Sequence, residues 1–234
     1  MTRLPGSELE RADARPKHWF GKEGRTEHER SDRTAMNATV KLPHFDGWHL
    51  IGAFPDNEPD DVGSWLLVNN GEALLLEAPP GLRADHARRA LALTGAVLRY
   101  FTASHNHCDH LDGLAWGNLM RAFPEAEIIH PSSVRGDRLV LLGDEPLWLV
   151  GAPKHSATDV VTIFRGAAMT GDIELGMLES VNNEVPLRVK RSSMKHLRDF
   201  EERTGYHVHS IVSAHLNDVR QGINWPDLFE YEGA

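Results

Sequence analysis

The densest chemistry in the chain lies in the stretch Thr102–Gly113, whose spacing is His-x-His-x-Asp-His at His105, His107, Asp109 and His110. Imidazole and carboxylate are good donors for Zn²⁺ and similar divalent ions. In an extended segment His105, His107 and Asp109 point the same way, because side chains alternate with period two. His110 then sits at the turn into a helix and reaches the same region from another angle. A tetrahedral centre draws ligands from more than one segment. His155, Asp172 and His215 are the candidates to supply them. Each stands just past the end of an apolar run. Taken singly, a His in such a place is more often a hydrogen-bonded surface residue. Their shared position, added to the first motif, makes them a set.

The elements that must carry these residues are legible from about residue 45 onward. Trp48–Phe54, Ser64–Val68 and Ala73–Ala78 read as strands, with Asn70-Gly71 as a two-residue hairpin turn between the last two. Ala84–Leu93 reads as a helix with Gly95 near its end. Val97–Thr102 is the strand before the histidine motif, and Leu111–Phe123, ended by Pro124, is the helix after it. Glu127–His130, Arg138–Leu142 and Leu147–Val150 read as short strands. Val160–Phe164 and Ala167–Thr170 form a hairpin across Arg165-Gly166. Ser193–Thr204 is a predicted helix, His209–Ser213 a last strand, and Trp225–Tyr231 a short terminal helix. Hairpins mixed with helices predict two sheets with helices outside them.

The 234 residues carry 25 Lys+Arg and 34 Asp+Glu, a net charge of −9 with neutral His. That balance argues against nucleic acid as a partner, which needs a basic footprint. Cys108 is the single cysteine, so no intrachain disulfide forms. No stretch approaches about 18 uncharged apolar residues, so no membrane span is expected. The N-terminus shows no apolar signal region, and the expected location is cytoplasmic. Residues 1–44 form a polar arm whose first 35 residues hold eight basic and seven acidic residues. Such a segment buries too little apolar surface to offset its ordering entropy. It is expected to be disordered or draped on the body, 45–234, unless Trp19 and Phe20 dock it there or on a second subunit. A homodimer is compatible with this reading.

The motif set resembles that of the metallo-β-lactamase-fold hydrolases over about residues 45 to 220. That family's pattern is the His-x-His-x-Asp-His loop, a later His, a Gly-Asp at a strand end and a final His. The resemblance implies an α+β fold, a four-layer αββα sandwich with the metals at one edge. It also implies His105, His107 and His155 at one metal, Asp109, His110 and His215 at a second, and Asp172 bridging them. Zinc is the expected ion, with iron or manganese as alternatives. Coordination lowers the pKa of water toward about 7, so such a centre supplies a hydroxide near neutral pH. The implied activity is hydrolysis of a small ester-like molecule, a thioester, lactone or ester, with Asp109 as the catalytic candidate. The alternatives are an iron-dependent oxygenase of the sulfur dioxygenase kind and a non-catalytic metal-binding protein.

Two positions depart from the family pattern. Lys154 precedes His155 where many members have Gly, and Glu77 stands where many have Asp at the end of the third strand. Glu77 would then brace a metal ligand with a longer arm. Substrate choice is expected in the acidic loop Pro55–Asp61 and in the loop Glu174–Lys195, whose Arg188, Lys190 and Arg191 could hold an anion. Cys108 should point away from the metals and pack. Asp112 should cap the following helix or bond a ligand imidazole.

Overall fold

The computed structural model describes residues 44–55, 61–178 and 184–229. Residues 1–43, almost the whole predicted arm, lie outside the described residues, as does most of the acidic loop after Pro55. Among the described residues eleven strands form two sheets. The first has the order β1 (Trp48–Phe54), β2 (Val62–Asn69), β3 (Glu72–Leu76), β4 (Val97–Thr102) and β5 (Glu127–Ile128). The second runs from β11 (Val219–Gln221) through β10 (Ser210–Val212), β9 (Ala167–Met169), β8 (Val160–Phe164) and β7 (Glu145–Gly151) to β6 (Asp137–Leu142).

Strand periodicity explains the layering. Leu74 and Leu76 face the space between the sheets with Trp65 and Leu67, meeting Leu147, Leu149, Val160 and Met169 of the second sheet. Their neighbours Ala73 and Leu75 face the other way, onto α1 (Ala84–Thr94) and α2 (Gly113–Ala122) through Ala87, Leu91, Trp116 and Leu119. Val161 and Ile163 likewise face α3 (Leu187–Arg198) and α4 (Phe200–Thr204) through Met194, Leu197 and Phe200. Successive side chains on one strand thus feed two different cores, and the result is the predicted αββα sandwich.

The turns follow the sequence. Asn70 and Gly71 have φ of 46° and 77°, and Arg165 and Gly166 have 49° and 71°. Positive φ at both central residues gives the turn whose twist suits a hairpin. Asp112 caps α2, accepting from Leu114 N at 3.1 Å and Ala115 N at 2.7 Å.

Three elements differ from expectation. The predicted helix Ser193–Thr204 starts earlier, at Leu187 behind Pro186, and breaks at Asp199 before Phe200 resumes it. Its first turns are rich in basic residues, so the apolar period there is weak. Strand β5 stops at Ile128, because His130 instead caps the turn Pro131–Ser133 by accepting from Ser132 N at 3.2 Å. Strand β11 has no apolar alternation to announce it and pairs antiparallel with β10 at the sheet edge.

Candidate metal centre

Strands β3 and β4 are parallel, as are β9 and β10, while β7 runs antiparallel to β8 and β8 to β9. The carboxyl ends of β7, β9 and β10 therefore share one edge of the second sheet, and those of β3 and β4 one edge of the first. Backbone bonds join these two edges. Val160 N donates to Ser104 O at 2.7 Å, and Gly63 N donates to Ala214 O at 2.8 Å. A Cβ on Gly171 would stand 2.8 Å from Ser104 Cβ, so only glycine lets the loop before Asp172 approach this closely.

Seven side chains meet along the joined edges in two groups. One is His105, His107 and His155; the other is Asp109, His110, Asp172 and His215. All seven residues predicted from the sequence are brought together. In the first group His107 Nδ1 lies 3.0 Å from His105 Nε2 and 3.2 Å from His155 Nε2. Three nitrogens around a tetrahedral zinc would stand about 3.3 Å apart, given Zn–N bonds near 2.05 Å. One oxygen, Asp172 Oδ2, lies within reach of both groups. It is 3.8 Å from His105 Nε2, 3.7 Å from His155 Nε2, 3.3 Å from His110 Nε2 and 3.5 Å from His215 Nε2.

The donor set itself fits a cation. Ring nitrogens that converge without enough protons to share oppose lone pair to lone pair. Buried Asp172 Oδ1 and His110 Nε2 have no hydrogen-bond partner among the described residues, and such orphaned polar atoms are costly unless something else satisfies them. Electrostatics agree. Burial works against charge on His110, yet the carboxylates of Asp109, Asp172 and Glu77 outweigh it and lift its pKa well above the ordinary value. Burial would favour neutral Asp109, but His110 carries its carboxyl down to about 2. Asp172 is held far below the usual carboxylate range, its burial outweighed by His110 and His215. Burial, together with His110, takes His105 down to about 2, leaving a neutral imidazole. The proton on His110 sits where the carboxylates call for positive charge.

The alternation expected of an extended segment holds only in part. Residues 104–110 are bends and turns rather than a strand, closed by His110 N and Leu111 N onto His107 O. His105 and His107 therefore stay together while Asp109 turns to the second group. Cys108 is exposed rather than packed, because the turn lifts it off the body.

Several supporting residues surround the donor side chains. Glu77, buried with φ of 71°, places Oε2 3.3 Å from His110 Nδ1 and accepts from Ser104 N at 2.9 Å through Oε1. The longer arm reaches the His110 ring, although neither Glu77 Oε2 nor His110 Nδ1 has a hydrogen-bond partner among the described residues. A left-handed glutamate stores strain, a feature that gathers at functional sites. Ser104 Oγ lies 3.0 Å from His105 Nδ1, leaving Nε2 for the cluster. Asp159 and Ser104 are the supports that sequence reasoning missed. Asp159 accepts from Lys154 N, Ser156 N and Ser156 Oγ at 2.8, 2.8 and 2.6 Å, shaping the loop that carries His155. Its signal was the Ser-x-x-Asp spacing, which lets a short side chain fold back on its own loop. Of the proposed anion-binding cluster, Lys190 is buried, while Arg188 and Arg191 are exposed on α3.

A comparison with protein-family models found no match, and neither did one with curated proteins. Solved structures do match. A metallo-beta-lactamase family protein from Thermus thermophilus superposes with a TM-score of 0.53 at 16% identity, over 78% of each chain. The BLEG-1 B3 metallo-beta-lactamase gives 0.54 at 15% identity, over 78% of this chain and 100% of that one. ETHE1 from Myxococcus xanthus gives 0.50 at 17%, over 73% and 77%. No helix among the described residues is long and apolar enough to cross a membrane. With its two sheets, its flanking helices and a donor cluster on the shared edge, the chain has the metallo-β-lactamase fold.

Proposed function

We propose that the chain is a metal-dependent hydrolase of a small ester-like substrate, a thioester, lactone or ester. His105, His107 and His155 would hold one divalent ion, and Asp109, His110 and His215 a second, with Asp172 between them. The observation that carries this reading is Asp172 Oδ2, which lies within 3.8 Å of ligand nitrogens from both groups. Bound there, two ions such as zinc supply Lewis acidity and lower the pKa of water toward about 7.

The chain's own residues do the rest. His105 and His110 are fully buried, whereas the His107 and Asp109 side chains are 30% and 23% exposed. Substrate therefore approaches over His107 and Asp109. Asp109 is ionised and lies 3.9 Å from His215 Nε2. It is placed to orient the attacking water by accepting its hydrogen bond. Asp172 and Glu77 keep His110 directed into the cluster. A net charge of −9 disfavours polyanionic substrates over the surface as a whole.

The test is metal content together with hydrolysis of a panel of thioesters, lactones, esters and phosphodiesters. Near two zinc per chain and turnover of one of the first three classes, lost on chelation, support the reading. One iron per chain with no hydrolysis would favour an oxygenase instead. Bound metal without any turnover, and no effect of Asp109→Ala, would leave a binding protein.

A further inference from the structure

Lys154 stands immediately before His155 and is fully buried. Its Nζ has no hydrogen-bond partner among the described residues, and the nearest carboxylate oxygen is Glu174 Oε2 at 3.8 Å. That oxygen is itself buried without a hydrogen bond among the described residues, although the Glu174 side chain as a whole is 38% exposed. Glu174 follows two residues after Asp172. Burial pushes the Lys154 ammonium below the usual lysine range and Lys190 adds to that, while Glu174, ahead of Asp159, opposes it.

As a stabilising device this pair is a poor one. Two charges taken from water lose hydration, and a separation without direct hydrogen bonds recovers little of it. Its position is more informative. The loop bearing His155 and the loop bearing Asp172 touch at the ligands, where His155 Nε2 is 3.7 Å from Asp172 Oδ2. They approach a second time where Lys154 Nζ and Glu174 Oε2 lie 3.8 Å apart. The backbone of Lys154 is fixed as well, since its N donates to Asp159 Oδ2 at 2.8 Å.

We propose that Lys154 is a positioning residue, whose buried ion pair with Glu174 sets the spacing of His155 and Asp172 and so tunes the all-histidine site for its cation. The inference rests on the metal-centre reading above. Partners behind metal ligands typically change metal affinity by about 10- to 100-fold when removed.

The experiment titrates the chelator-stripped full chain with Co²⁺, following the visible spectrum and the binding heat, with melting of the metal-free protein measured alongside. His155→Ala provides the spectrum of the other site alone. Lys154→Met and Glu174→Gln are expected to weaken the all-histidine site by about 10- to 100-fold and alter its Co²⁺ spectrum, with the second ion retained. The double variant Lys154→Met/Glu174→Met removes both buried charges. It is expected to recover the melting temperature lost by Lys154→Met but not the affinity or the spectrum. Wild-type affinity and spectrum in every variant would overturn the proposal. So would full recovery of affinity in the double variant, which would reduce the pair to a matter of burying charge. If Lys154→Met does not fold, Glu174→Gln carries the same comparison at a partly exposed side chain. Wild-type protein that binds no Co²⁺ would instead remove the metal reading, and this proposal with it.

Discussion

His105, His107 and His155 form an all-nitrogen group, whereas Asp109, His110, Asp172 and His215 mix two carboxylates with two imidazoles. The second group can compensate itself when empty, because a proton on His110 answers the carboxylates around it. The first group lies farther from carboxylates, and burial keeps His105 neutral. Its geometry is imposed from outside by the loop that Asp159 shapes and by Thr158, which donates to Asn106 Oδ1 at 2.8 Å. One half of the centre is thus held by charge, the other by loop architecture. The two halves should respond differently to proton, ligand and loop perturbations.

Asp172→Ala strikes both halves and has the largest expected effect. Affinity should fall at both by more than about 100-fold, above the range for supporting residues, as read by metal titration. An all-histidine group that keeps its ion in this variant would mean that the halves are independent.

Glu77→Gln separates them. It should cost about 10- to 100-fold in affinity at the mixed group only. It should also lower the pKa of His110 in the metal-free protein, since a carboxylate that raises it is gone. The sign of the pH dependence follows from the raised value. The stability contributed by the His110 proton is fully present below the ordinary histidine value of 6.5 and is lost as pH rises through the folded pKa. Metal uptake at pH 7 should therefore release a proton in wild type, and less of one in Glu77→Gln. Proton release measured in weakly buffered titrations checks this, and equal release from both proteins would contradict it.

Asp159→Ala acts on the loop instead. Loss of its three accepted hydrogen bonds should cost about 1–3 kcal/mol of stability and weaken the all-histidine group more than the mixed one. Cys108→Ser marks the small end of the scale. The residue is exposed, and its substitution should stay within about 0.5 kcal/mol with both ions retained. A change in metal content in that variant would show that the turn between the two groups is more constrained than its exposure indicates.

The sandwich was legible because apolar runs such as Trp48–Phe54, Val97–Thr102 and Val160–Phe164 coincide with whole strands, and because Asn70-Gly71 and Arg165-Gly166 punctuate them. The donor cluster was legible for a different reason. Few residue types bind metals, and each of these stands past a strand end. The division between the halves was not readable from alternation, because turn hydrogen bonds to His107 O, rather than strand pleating, decide where Asp109 points. Asp159 and Ser104 escaped notice because their work is done through backbone amides and a single ring nitrogen, contacts that depend on the fold. The start of α3 escaped because Pro186 precedes it and its first turns bury Lys190 rather than an apolar residue.

Metal content of the purified full chain, measured side by side with that of His155→Ala, tests the two-part centre most directly. The account predicts about two divalent ions per chain in wild type and about one in the variant, with the fold unchanged. Equal content in both proteins, or no bound ion in either, would contradict it.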